Sequence, residues 1–331
     1  MKRRAFLVLA AGALAPGVVY AQGTRRDFKL GILTLAPFPP LIDPFLAALN
    51  DRGWSAGLNL SVESRVTAPQ QARAAEMAKE LIAKGADVLA TVGTANAVAA
   101  RQASSTVPIV MLASGYPVES GLAASLARPG GNVTGLTVYA GTEVFGKNVA
   151  LAKELVPALQ ELGVFWAYAP PAFPEIETEI GLKEMRQAAE TLKIRLRVWI
   201  NRSERELDAS LAEATKSPIQ ALFMTAGGPQ SDPQGIARVA EFCERRRLPA
   251  VADVASIIFL TAGIVAHSPD FSELGVRGAS FVDRILRGAK PGDLPIEQPT
   301  RFQVIVNAKR AKLIGMAIPR SILARADRVI E

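Results

Sequence analysis

The sequence predicts an α/β fold of two Rossmann-like βαβ lobes, each built on a parallel sheet. Three observations carry this prediction. Short, almost continuously apolar runs alternate with amphipathic stretches long enough for helices, which is the pattern of βαβ units and parallel sheets. The pattern is written twice, so that LGILTLAPFPP (30–40) is echoed by LGVFWAYAPPAFP (162–174). The chain of 331 residues is long enough for two domains.

Strands in a sheet covered on both faces read as apolar runs without alternation. Such runs fall near 29–35, 59–64, 87–92, 108–113 and 133–138 in the first half. In the second half they fall near 162–168, 195–200, 220–225, 249–253 and 263–267. Helical periodicity occupies 69–84, 94–103, 143–158, 176–192, 204–215, 233–247 and 271–287. The repeat extends to longer blocks, 75–111 and 209–252, each with a helix, a strand, a small-residue turn, a second helix and a strand opened by proline.

The first residues, MKRRAFLVLAAGALAPGVVYAQ, combine Lys2, Arg3 and Arg4 with an apolar stretch and small residues before Gln22. This is the layout of a secretory signal over 1–21, and RRAFL also fits a twin-arginine signal, so Sec and Tat export both remain open. No cysteine stands at the cleavage point, which argues against a lipid anchor. The expected location is the periplasm. Without those three cations, 38 basic residues against 31 acidic ones become a mature charge of +4. That excess is too small, and too free of basic–aromatic runs, for a nucleic-acid partner.

Chemistry is scarce. The single cysteine, Cys243, sits at helical spacing from Val239 and reads as a small core residue. The single histidine, His267, ends the strand-like GIVAH and is either a strand-end residue or a ligand contact. No disulfide, zinc site, cofactor site or Ser-His triad is supported, so an enzyme is not expected. GTEVFGKN (141–148) comes close to a phosphate-binding loop, but Asn148 replaces the required hydroxyl and Val144 and Phe145 are bulky. With Thr142 as N-cap, this stretch reads as a helix start and the crossover between lobes, with Gly141 and Tyr139 as hinge candidates.

In open parallel sheets, ligands bind beyond the carboxyl ends of the strands. The turns there supply the candidate binding residues. Thr34 and Phe38 follow the first strand in a Pro-rich turn, LAPFPPLIDP. Gly93 makes a tight turn, and Thr94 reads as the N-cap of a helix whose amino end suits an anion. Ser114 and Tyr116 follow the fourth strand, and Tyr139 the fifth. The second lobe contributes Trp166, Tyr168, Thr225, Gly227, Gly228, Asp253 and Ser256. Trp166 fits the core equally well. Aromatic walls with a few polar groups suit a binding site better than a reaction centre.

VPIVMLASGYPVESGLAASLARPGGNVTGLT, and the closing stretch from GAKPGDLPIEQPTRF to the C-terminus, resemble bacterial ABC-transporter substrate-binding proteins of the tryptophan- and tyrosine-type branch. The resemblance covers essentially the whole mature chain. It implies a type I periplasmic-binding fold with hinge crossovers. The expected lobes are 22–140 with about 269–300, and 141–268 with about 301–331. It also implies a monomer that closes around a small molecule and delivers it to an inner-membrane ABC permease. The chain departs from the family at Tyr116, Val138 and Gly227, where the amino-acid-binding members tend to carry aspartates. A buried ammonium needs such partners, so the expected ligand is a small carboxylate without an ammonium group. Asp253 keeps an aromatic amino acid open as the alternative. Two rival readings are a binding protein that feeds a sensor and an exported hydrolase based on Asp253.

Overall fold

In a computed structural model the residues described are 27–67, 70–139, 144–167, 175–253 and 262–331. The apolar runs of the first half form β1 (Phe28–Thr34), β2 (Leu60–Val66), β3 (Val88–Val92), β4 (Ile109–Ser114) and β5 (Val133–Thr137). They make one parallel sheet in the order β2-β1-β3-β4-β5. Every residue of β4 and β5 is buried, as continuous apolar strands inside a two-sided sheet must be. Helices α1 (Pro39–Asp51), α2 (Ala74–Ala83) and α3 (Thr94–Ala103) cover this sheet.

The second half repeats the plan. Its elements are α4 (Val144–Leu155), β6 (Glu161–Ala167), α5 (Glu175–Thr191), β7 (Arg195–Asn201), α6 (Glu204–Lys216), β8 (Ala221–Met224), α7 (Pro233–Arg246), β9 (Ala250–Ala252) and β10 (Val265–Pro269). The strand order β7-β6-β8-β9-β10 reproduces that of the first sheet, so the repeat seen in the sequence is a repeat of topology. The lobe grows further with β11 (Phe302–Asn307) and β12 (Arg328–Ile330), which the expected strands did not include. β11 runs antiparallel to β10, so the second sheet is mixed rather than wholly parallel.

Between β10 and β11 the chain returns to the first sheet. Helix α8 (Phe271–Leu286) lies against α1, with Phe271, Leu274, Phe281 and Val282 in one core with Leu41, Phe45, Val110 and Leu112. Thr134 on β5 donates to the carbonyl of Leu294 at 2.7 Å, and Leu136 bridges Glu297. Two short helices, α9 (Ala308–Leu313) and α10 (Arg320–Ala324), complete the second lobe.

The Pro-rich stretch after β1 was expected to be a turn, yet the helix begins at Pro39 and continues through Pro44. Proline at the first helical positions lacks only an N–H that has no partner there, and its φ is already helical. Burial of Leu41, Phe45, Ala48 and Leu49 then offsets the one bond that Pro44 forfeits. Gly135 is fixed by a close approach. Its φ is 123°, and a Cβ there would lie 2.2 Å from the carbonyl oxygen of Met111, where the β4–β5 register shifts.

Candidate functional site

The carboxyl ends of β3 and β4 are tied together by one hydroxyl. Gly93, at φ 90°, is the N-cap of α3, and its N–H donates to the carbonyl of Ala113 at 2.7 Å. Thr94 is therefore the first helical residue and not the cap, which corrects the expectation. Its hydroxyl oxygen is turned away from its own helix and accepts the N–H of Gly115 at 2.8 Å and the Ser114 hydroxyl at 3.3 Å. The amino end of α3, with its positive dipole end, is thereby locked against the β4 turn that carries Tyr116.

A second polar group at the same sheet end was not anticipated. Buried Thr67 donates toward Gln71 at 2.6 Å and Asn96 at 3.2 Å, and Gln71 donates to Asn96 at 3.0 Å. Asn96 donates in turn to the carbonyl of Val92 at 2.9 Å. Thr34 is buried beside them, donating to the Ala36 carbonyl at 2.7 Å while its own carbonyl receives the Thr67 N–H at 2.9 Å. Phe38 packs edge-on against Phe271, 4.7 Å between centroids, as part of the first-lobe core.

Tyr116 links the two halves. It has a φ of 36°, a left-handed backbone that a bulky residue adopts only where surroundings enforce it. Its ring lies 5.0 Å from Tyr139, which lies 5.3 Å from Phe145, which lies 5.0 Å from Trp166. This aromatic chain runs from the β4 turn of the first lobe into the core of the second. The Tyr116 hydroxyl reaches Glu184 Oε1 on α5 at 3.4 Å, and Glu184 Oε2 accepts the Phe145 N–H at 3.3 Å. Trp166 is a core side chain, 4 % exposed, whose indole N–H donates to Thr178 at 3.0 Å.

In the second lobe, the Thr225 hydroxyl accepts the Ala167 N–H at 2.8 Å, pinning β8 to β6. Gly227 and Gly228 follow with φ of 94° and 59°. Asp253, 6 % exposed at the end of β9, accepts the Ala226 N–H at 2.8 Å. Burial pushes its carboxyl up to about 7, against the opposing pull of two backbone N–H groups. Asn201 is fully buried at the end of β7 and accepts from Ser210 at 2.7 Å. His267 stacks on Phe302, 5.1 Å between centroids, and pairs with Val304 across the β10–β11 ladder. Burial, aided by Lys147 and Arg325, lowers its pKa and favours the neutral ring. Tyr168 and Ser256 lie outside the described residues, as do Gly141 and Thr142.

The structure thus joins Gly93, Thr94, Ser114, Tyr116 and Tyr139 in one bonded and stacked group, which Phe145 extends to Trp166, while Phe38 and His267 stack elsewhere, on Phe271 and Phe302. Sequence reasoning missed Thr67, Gln71, Asn96 and Glu184. Val138, where the resemblance placed an aspartate, packs against the first-lobe core and donates its N–H to the Ser114 carbonyl at 2.9 Å.

The profile of the ABC transporter substrate binding protein family matches residues 41–330. The chain belongs to this family. A tyrosine-binding protein of Clostridioides difficile is 23% identical over 296 residues, covering 88% of this chain and 82% of that protein. Among solved structures, a conserved domain protein from Vibrio cholerae shares the fold with a TM-score of 0.80 at 24% identity, over 92% of this chain and 100% of that one. An ABC domain from Streptococcus in complex with L-Trp gives 0.79 at 23% identity, with the same coverage. These likenesses establish the type I periplasmic-binding fold for this substrate-binding protein.

Proposed function

We infer that the protein is a monomeric periplasmic binding protein that captures a small carboxylate lacking an ammonium group and delivers it to an ABC permease without chemical turnover. The lobes are taken as 22–140 with about 269–300, and 141–268 with about 301–331. The supporting observation for the ligand class is the group around Thr94. A helix amino end and hydroxyls suit a carboxylate. The nearby buried carboxylate of Glu184 is already engaged by the Phe145 N–H and the Tyr116 hydroxyl. Thr94, Ser114, Tyr116, Tyr139, Gly227 and Asp253 are the ligand contacts of this reading. Closure follows from a ligand that binds both lobes, which shifts the population toward the closed form.

A second reading is favoured by Asp253, buried at a strand end of the other lobe, and by relatives described as binding tyrosine and L-Trp. There the ligand is an aromatic amino acid, and its ammonium would hold Asp253 ionised. Calorimetric titration separates the two. Phenylpropionate, 4-hydroxyphenylpropionate and indole-3-propionate should bind, while phenylalanine, tyrosine and tryptophan should not. Binding of the amino acids alone would overturn the first reading in favour of the second.

A further inference from the structure

The structure assigns a protein-docking surface to the free edge of β7: we propose that it takes up, as an added strand, an extended segment of a partner protein in which acidic and apolar residues alternate. Among the described residues, β7 ends the second sheet and is paired on one side only, with β6. The Arg195 N–H donates to the Gln160 carbonyl at 2.7 Å, so the odd-numbered backbone groups of β7 point to β6. Alternation along a strand then leaves the N–H and C=O of Leu196, Val198 and Ile200 along the open edge. Five consecutive residues here, Leu196 to Ile200, are only half-buried.

Two open grooves flank this edge, one on each face of the sheet. The groove beside α6 has a volume of about 440 Å³ and is lined by Arg197, Trp199, Glu213 and Lys216. The groove beside α5 has about 430 Å³ and is lined by Ala189, Ile194, Leu196 and Val198 together with Arg186 and Glu190. An incoming strand sends successive side chains to opposite faces, so one set would enter the polar groove and the other the more apolar one. This is the arrangement that strand addition uses, with main-chain bonds for affinity and alternate pockets for specificity.

Charge selects the occupant. On the α6 face Arg195 and Arg197 share one acid, Glu161, at 2.9 and 2.5 Å. Glu213 accepts the Trp199 indole N–H at 2.9 Å. Lys216 makes no ion pair among the described residues. Three cations therefore face two acids, and an added carboxylate is favoured. A second copy of this chain is disfavoured, because pairing two β7 edges would oppose arginines on the same face. The other sheet edges differ. β2 carries the Glu63, Arg65, Lys84 and Glu80 ion network on one face, with acids and cations balanced, β5 is bridged by Glu297, and β12 has three residues.

The test uses the mature chain and a fluorescein-labelled peptide of alternating glutamate and valine, seven residues long, followed by anisotropy. Saturable binding is expected, weakened severalfold by raising salt from about 0.05 to 0.5 M, and weakened roughly tenfold by Lys216→Glu. Methylation of alternate peptide nitrogens should abolish it. A lysine–valine peptide should not bind. The proposal is overturned if the glutamate–valine peptide fails to bind, if the methylated peptide binds as well, if Lys216→Glu has no effect, or if the chain elutes as a dimer that excludes the peptide. Ligand titration of Lys216→Glu should match the wild type, so failure here leaves the ligand reading untouched.

Discussion

Replacing Asp253 by asparagine should make the ligand-free protein more stable, and the gain should depend on pH. The carboxyl is buried with the Ala226 N–H as a neighbour at 2.8 Å, and its pKa rises from 3.8 to about 7. Below the unfolded value the group is protonated in both states and contributes no pH dependence. As pH climbs from about 4 to about 7, the unfolded chain releases the proton while the folded chain keeps it. The folded state binds more protons in this window, so stability falls with rising pH. Above about 7 both states are ionised and the penalty is constant. Roughly three pKa units at about 1.4 kcal/mol each give a cost of about 4 kcal/mol. Asparagine keeps the acceptor for Ala226 and removes the charge. Urea unfolding of both proteins at pH 4, 5.5 and 8 should show a difference near zero, then intermediate, then about 4 kcal/mol in favour of Asp253→Asn. A difference that stays flat with pH, or a destabilised variant at pH 8, would refute a carboxyl whose pKa burial raises.

Two further substitutions probe the site and the fold. Tyr116→Phe removes the hydroxyl that reaches Glu184 at 3.4 Å; a bond this long to a carboxylate is worth about 1 kcal/mol, so the apparent dissociation constant should rise roughly fivefold, whereas unchanged affinity with a lowered melting temperature would confine the contact to folding. Gly135→Ala drives a methyl group to 2.2 Å from the Met111 carbonyl at a φ of 123°; it should cost at least about 3 kcal/mol, and a urea midpoint within about 0.5 M of the wild type would disprove this.

The strands were legible because continuous burial leaves a signature in composition. β4 and β5 are wholly buried, and their sequences, IVMLAS and VTGLT, admit almost nothing charged. The duplication was legible for the same reason, since matched apolar runs imply matched strand orders. β11 and β12 were not, because β12 carries exposed Arg328 and Val329 and joins the sheet only through its ladder to β11. The polar site was legible only in part. Glycine and a hydroxyl after an apolar run point to a strand-end turn, so Gly93, Thr94 and Ser114 were placed at the strand ends where the structure has them. Which neighbour the Thr94 hydroxyl would choose depends on where β4 arrives, and local sequence favoured the cap. Glu184 gave no signal. It sits amid Lys183, Met185 and Arg186 in a helix of mixed polarity, and reads as a solvated residue. Its burial comes from contacts distant in sequence, with the amino end of α4 through Phe145 and with Tyr116 at the end of β4.

The stretch GTEVFGKN shows how a motif can carry the right physics for another purpose. From Val144 onward its described residues are helical, so Gly146 and Lys147 belong to α4 and not to a loop wrapped around phosphate. Asn148 is fully buried and donates to the Val144 carbonyl at 3.1 Å, one turn back. Yet the amino end of α4 does hold an anion. The N–H of Phe145 donates to the carboxylate of Glu184, from the helix that packs beside it. A helix start with N–H groups lacking intrahelical partners draws negative charge whatever its source. Here the chain supplies that charge itself, and the same carboxylate also receives the Tyr116 hydroxyl of the first lobe. The resemblance to a phosphate loop and the contact between lobes therefore share one cause, a helix amino end placed where the chain passes from one sheet to the other.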